Sequence, residues 1–312
     1  MTVSAKKPLL AALATVLLWA FAFPASKAAL PYFSAAEMVA LRYVVACGFY
    51  AAWFAAGHLA AGRFAARRFA VGVAVERFAW PARRDWLPIF ALGALGVTVY
   101  QLLFVLGLGR VTAGAAAMLI AANPVFASLL ARVFLREKLS RLAWCGIGVS
   151  LTGVALIALE KGIGGEFEGA VLLILATLSI SVYFVFQKPF FAWYSPLSMT
   201  AWTSFAGALP LLFYLPAALA AAPHASAAAL WSVAAMGVFS SGIAFVLWLY
   251  ALSKLPAGTV TSFLFLQPVF VIVMAWFWLR EIPTAQAFAG GAVILFGMAL
   301  ILSPGKRSVG AS

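Results

Sequence analysis

Acidic side chains are almost missing from this chain. Eight Asp and Glu stand against 21 Lys and Arg in 312 residues, and charged residues of both signs make up only 9%. A water-soluble domain carries about a quarter charged residues and is about half apolar. Here 66% of residues are hydrophobic and the mean hydropathy is +1.07, more apolar surface than a soluble fold can hide. The eight acids are Glu37, Glu76, Asp85, Glu137, Glu160, Glu166, Glu168 and Glu281. All fall at the ends of apolar stretches or between them, as do His58 and His224. No carboxylate is therefore left at a membrane midplane to relay protons. No cluster of His, Asp, Glu or Cys forms a metal site or catalytic centre, and no Gly-rich phosphate loop is present, so no cofactor is expected. The two cysteines, Cys47 and Cys145, lie inside apolar stretches and read as small packing residues. The net charge of +13 sits between the apolar stretches, the pattern of cytoplasmic loops beside anionic lipid. The partner it implies is the lipid bilayer and not a nucleic acid.

Each membrane-spanning helix needs roughly 20 apolar residues. Ten such spans are predicted, over 9–30, 35–57, 86–107, 112–134, 141–160, 169–191, 196–219, 228–251, 258–279 and 285–303. The first has Lys6-Lys7, an apolar run and an Ala20-Phe21-Ala22 that imitate a signal peptide. Its segment LATVLLWAFAF (13–23) has a counterpart in LATLSISVYFV (175–185), however, which makes it a span. With a cytoplasmic N-terminus, 16 Lys and Arg fall on the cytoplasmic side and four (Lys27, Arg110, Lys161 and Arg280) on the outer side, with Arg42 inside a span. The positive-inside rule thus predicts that both termini are cytoplasmic.

The second half of the chain repeats the first. NPVFASLLARVFLRE (123–137) falls on QPVFVIVMAWFWLRE (267–281) at an offset of 144. The same offset carries Ala113-Gly114 onto Ala257-Gly258, Gly146 onto Gly290 and Gly153 onto Gly297. Near the N-terminus the offset is 162, because the first half has an extra Arg- and Ala-rich stretch around 60–84, expected to be an amphipathic loop lying on the membrane. Five spans per half is an odd number, so the halves must be inverted relative to each other. The expected fold is an all-α membrane protein of ten transmembrane helices, two five-helix inverted repeats (9–160 and 169–303) with a site between them.

The chain resembles the drug/metabolite transporter superfamily, in its ten-helix form with two EamA-type halves. The residues that carry the likeness are Trp19 in LLWAFAF, Lys27, Ala40-Leu41-Arg42-Tyr43, Ala113-Gly114, NPVF…FLREKLS (123–140) and GIGVSLTGVALI (146–157). The resemblance covers nearly the whole chain. It implies a bacterial inner-membrane exporter of small metabolites, with a central cavity lined mainly by helices 1, 3, 4, 6, 8 and 9. Within the superfamily the chain looks most like the amino-acid exporters, the aromatic amino acid exporter among them.

Pro124 and Pro268 fall near the middle of spans four and nine and are expected to kink them, freeing the carbonyls of Ile120 and Leu264. Each follows an amide, Asn123 or Gln267. The pair serves either as a packing kink or as a substrate contact in a cavity wall, and its recurrence in both halves favours the latter. Trp19, Tyr100, Gln101, Tyr183 and Gln187, with Phe23 and Phe265 beside them, complete the candidate binding set. Aromatic walls with a few amides suit a zwitterion with an apolar side chain or a flat organic cation. Arg42 is a structural or gating charge near the outer surface, open to three roles: binding a carboxylate, pairing with Glu37, or anchoring the neighbouring half. Arg136-Glu137 and Arg280-Glu281 end spans four and nine and are expected to cap the following turn. The glycines of spans five and ten recur every seven residues and mark packing or dimerisation faces, leaving monomer and homodimer open.

These features predict a secondary transporter exporting amino acids by rocking of the two halves, either down a gradient or coupled through an unusual group, without a membrane-buried carboxylate as proton relay. The nearest alternative, a drug or organic-cation exporter, would be favoured by a buried Glu, which the spans lack. An enzyme would need a convergent catalytic cluster, and a scaffold needs neither inverted duplication nor paired mid-membrane prolines.

Overall fold

The computed structural model describes residues 3–63, 80–134, 136, 139–159, 165–255, 260 and 263–302. Among them there are helices and turns but no strand, as a lipid-embedded backbone requires. Ten helical spans follow one another: α1 (Val3–Ala29), α2 (Ala35–Arg63), α3 (Arg83–Leu108), α4 (Ala113–Phe134), α5 (Arg141–Ala158), α6 (Gly165–Gln187), α7 (Pro196–Ala208 with Pro210–His224), α8 (Ala227–Leu252), α9 (Phe263–Leu279) and α10 (Ala285–Leu302). All ten match the predicted spans. Most of the Arg-rich stretch around 60–84 lies outside the described residues.

The starts of the helices are written in the sequence. Thr112, Ser140, Ser195 and Ser226 each accept a bond from the backbone N–H three residues on. Ser34 and Glu37 bond each other's backbone N–H reciprocally and open α2 as a capping box. Pro210 removes a donor within α7, and the two parts meet at 41°.

The halves α1–α5 and α6–α10 meet through contacts that repeat with the duplication. α5 and α10 cross where Gly146 touches the Gly297 carbonyl and Gly153 the Gly290 carbonyl. The offset of 144 exchanges these two contacts, so a pseudo-two-fold axis passes between the helices. An added Cβ on Gly146 would lie 2.5 Å from the Gly297 oxygen, so only glycine fits. Between the crossings Ser150 Oγ donates to the Ile294 carbonyl, 3.2 Å. The glycine face expected to serve packing or dimerisation is thus occupied within one chain. A second related pair joins α3 to α7, where Gly93 lies against Thr203 and Gly207, and α8 to α2, where Gly237 lies against Arg42 and Val45.

Among the described residues two helices carry a π turn, and these too correspond. Ala94–Val99 in α3 and Met236–Ile243 in α8 both end at positions 144 apart. A π turn leaves carbonyls outside the ordinary ladder, and both are used. Leu95 O accepts from Ser179 Oγ of α6 (2.8 Å), and Ser240 O accepts from Trp19 Nε1 of α1 (3.2 Å).

Candidate functional site

The π turns also position the most polar buried cluster of the spans. Gln101 follows the α3 turn by two residues, and Ser241 lies within the α8 turn. The close approach of Gly237 to the Arg42 carbonyl brings α8 against α2. Arg42, 5% exposed, can then donate from Nε to Ser241 Oγ (2.9 Å) and from Nη1 to Gln101 Oε1 (3.2 Å). Gln101 Nε2 donates to Tyr43 Oη at 3.2 Å, and the Arg42 guanidinium stands 5.9 Å from the centre of the Tyr43 ring. Tyr50 Oη donates to the Ser241 carbonyl at 2.6 Å. Two helices of the first half and one of the second therefore share one network of hydrogen bonds.

Arg42 does not pair with Glu37. That carboxylate is held at the start of α2 by the Ser34 N–H, 2.8 Å away, and Arg42 turns instead into the bundle. It is buried and does not snorkel to the membrane surface. Ser241 and Tyr50 were not singled out from the sequence, and Tyr43 only as the neighbour of Arg42 in the family motif. The pair Ser240-Ser241 within an apolar run was the available signal, but its partners lie about 200 residues away.

An aromatic string adjoins this network. Phe23 meets Phe104 edge-on at 5.0 Å, and Tyr100 lies 6.0 Å from Phe104. Phe265 packs, half-buried, against the same apolar core. Trp19, one turn from Phe23 on α1, faces α8, with Phe245 at 5.4 Å and Trp248 at 5.2 Å. Asn123 Nδ2 donates to Ser181 Oγ of α6 at 3.0 Å. Tyr183 is buried beside Ile89, Leu92 and Trp202, in a cluster against which Tyr100 also packs, and its hydroxyl lies 3.1 Å from Thr203 Oγ1. Gln187 is buried at the end of α6, and its Oε1 has no hydrogen-bond partner. Gln267 is half-buried.

The prolines do not kink continuous helices. Pro124 is the second residue of a helix restarting at Asn123 after a turn at 121–122, and Pro268 the second residue of one restarting at Gln267 after a 3-10 turn, Phe263–Leu266. At that position the missing N–H would have had no intrahelical acceptor, so proline is compatible there and a break is the result. Spans four and nine are discontinuous, as helices around a membrane transport site often are.

At the α1–α2 end of the bundle, Lys27 Nζ lies 2.6 Å from Glu281 Oε1. Glu281 Oε2 accepts from the Ala113 N–H at the start of α4, 2.9 Å. Glu281 thus caps a helix of the other half and not the turn that follows it. The αL conformation of Arg280 (φ 58°) aims it there, and Arg136, 144 residues earlier, has the same conformation (φ 56°). Among the described residues no three His, Cys, Asp or Glu side chains come together to hold a metal.

Comparison with known proteins places this geometry. The profile of the EamA-like transporter family matches residues 6–159 and again 167–303. A probable terminal-alkyne amino-acid exporter of Streptantibioticus cattleyicolor is 35% identical over 95% of this chain and 92% of its own length. The uncharacterized transporter YdfC of Bacillus subtilis is 32% identical over 70% of this chain and 72% of its own. An uncharacterized transporter of Archaeoglobus fulgidus is 27% identical over 92% and 96%. One solved chain, described only as "Crystal structure of protein", shares the fold with a TM-score of 0.62 at 18% identity, over 98% of this chain and 99% of that one. The two matched halves, the ten spans and these relatives agree, and this multi-pass membrane protein belongs to the EamA-like transporter family.

Proposed function

We propose that the protein exports small metabolites, amino acids foremost, across the bacterial inner membrane by alternating access. The observation that carries this reading is the network of Arg42, Gln101, Tyr43 and Ser241, a polar site buried where the two halves meet and walled by aromatic rings. A zwitterion with an apolar side chain fits such surroundings. The relative named a probable terminal-alkyne amino-acid exporter, 35% identical over 95% of this chain, supports the same substrate class.

In this reading both termini are cytoplasmic, and the halves 9–160 and 169–303 rock about the site. Trp19, Phe23, Tyr100, Gln101, Asn123, Phe265 and Gln267 line the path. The breaks before Pro124 and Pro268 let the restarted helices swing. The end carrying Lys27 and Glu281 is the outer one, and their ion pair closes it. With no carboxylate at the midplane, the substrate runs down its own gradient.

The test is transport into proteoliposomes holding the purified protein, with labelled amino acids and one organic cation, with and without a pH gradient. Amino acids moving equally well without the gradient is the expected result. Movement of the cation alone would replace this reading with that of a drug exporter.

A further inference from the structure

Arg42 is a buried cation with no anion beside it among the described residues. The groups that face it are Tyr43 of its own helix, Tyr100 and Gln101 of α3, and Ser241 of α8, all neutral at physiological pH. Burying an ion is costly, and neutral dipoles compensate it only in part. The arrangement also fixes the direction of the guanidinium. Nε is held by Ser241 and Nη1 by Gln101, which is itself held by Tyr43. Nη2 makes no hydrogen bond among the described residues, and the residue is 5% exposed. With Nε and one Nη1 hydrogen engaged, the two Nη2 hydrogens and the second Nη1 hydrogen remain to meet a planar oxyanion.

We propose that Arg42 is the subsite for a carboxylate on the transported molecule. The proposal rests on the reading of this region as the transport site. It selects molecules that carry a carboxylate and repels cations lacking one. Because the holding groups come from both halves, an arriving carboxylate neutralises a charge at their junction, so loading the site eases movement of α8 against α2 and α3.

Three probes separate the possibilities: L-phenylalanine, its primary amide, and phenylpropionate, which keeps the carboxylate and lacks the amine. In proteoliposomes the protein moves phenylalanine, phenylpropionate competes, and the amide neither moves nor competes. Arg42→Gln lowers phenylalanine transport by about 30-fold or more, and Arg42→Lys, which keeps the charge but loses the fork, by about 10-fold. Should Arg42→Gln fail to elute as a single species in detergent, Arg42→Lys carries the test. Equal transport of acid and amide, or full transport by the folded variants, overturns the subsite and leaves amino-acid export standing. If none of the three moves, yet phenylpropionate raises the Tm of the wild type and not of Arg42→Lys, export of amino acids fails and the subsite stands. If phenylpropionate also leaves the wild-type Tm unchanged, the subsite is overturned.

Discussion

Lys27 and Glu281 are 254 residues apart in sequence and 2.6 Å apart in space, and they tie α1 of one half to the α9–α10 connection of the other. Their side chains are 16% and 26% exposed, so the pair is partly shielded from water. Glu281 also holds the N–H of Ala113 at the start of α4. One carboxylate therefore fastens three helix ends at one end of the bundle.

Neutralising this fastening is expected to open that end. Glu281→Gln weakens the ion pair and the helix cap, and Lys27→Met weakens the ion pair alone. Partly buried pairs of this kind contribute about 1 kcal/mol, enough to shift a two-state population several-fold. The measurement is labelling of a cysteine at position 112 by a membrane-impermeant thiol reagent, in a background without Cys47 and Cys145. Faster labelling in both variants, more so for Glu281→Gln, is expected. Unchanged rates would show that the end is closed by packing instead.

Trp19 is predicted to act in transport through its ring. Trp19→Ala removes the contacts with Phe245 and Trp248 together with the bond to Ser240. It should lower phenylalanine transport by roughly 10-fold or more, whereas Trp19→Phe, which keeps an aromatic face, should lose only about threefold. Initial rates in proteoliposomes decide this, and equal losses would assign the effect to the Ser240 bond.

Tyr183 is predicted to matter for stability and little for transport. Its hydroxyl meets Thr203 inside the cluster of α3, α6 and α7. Tyr183→Phe leaves the ring in place and should cost about 1 kcal/mol, seen as a lower Tm in detergent, with transport within about twofold of wild type. A large change in KM at unchanged Tm would return Tyr183 to the path.

The α5–α10 crossing should reject any larger residue. Gly153→Leu would drive a side chain into the Gly290 backbone and Ile294, and Gly297→Leu into Ser150. Overpacking of this kind costs about 1–3 kcal/mol. Both variants are expected to lose several degrees in Tm, and by the two-fold relation of the contacts the losses should be similar. Gly148→Leu, whose added Cβ meets nothing, is the control and should be neutral.

The spans and the duplication were legible because each rests on a local or periodic property. The apolar runs placed the helices, and the offset of 144 was visible from NPVF and QPVF alone. Pairings across the bundle were not legible. Arg42 has a carboxylate five positions away in Glu37, yet it bonds to Ser241, 199 residues on, because Gly237 lets α8 come close enough. The prolines pointed correctly to irregular helices, but whether a helix bends or stops depends on the turn before the proline. The burial of Tyr183 beside Trp202 and Thr203 follows from which face of α6 meets α7, which no composition reveals.

The matched π turns carry a chronology. A π turn arises when one residue is inserted into an existing helix, which then absorbs it as a bulge instead of shifting every later side chain. Those of α3 and α8 end at corresponding positions, Val99 and Ile243. One insertion before the gene doubled accounts for both, whereas two insertions after it would have had to strike the same spot twice. On that count of events the bulge belongs to the five-helix unit and not to the two-halved protein. The two copies differ at that spot, with Gly96 in one and Ser240 in the other and with π segments of six and eight residues that end at corresponding positions.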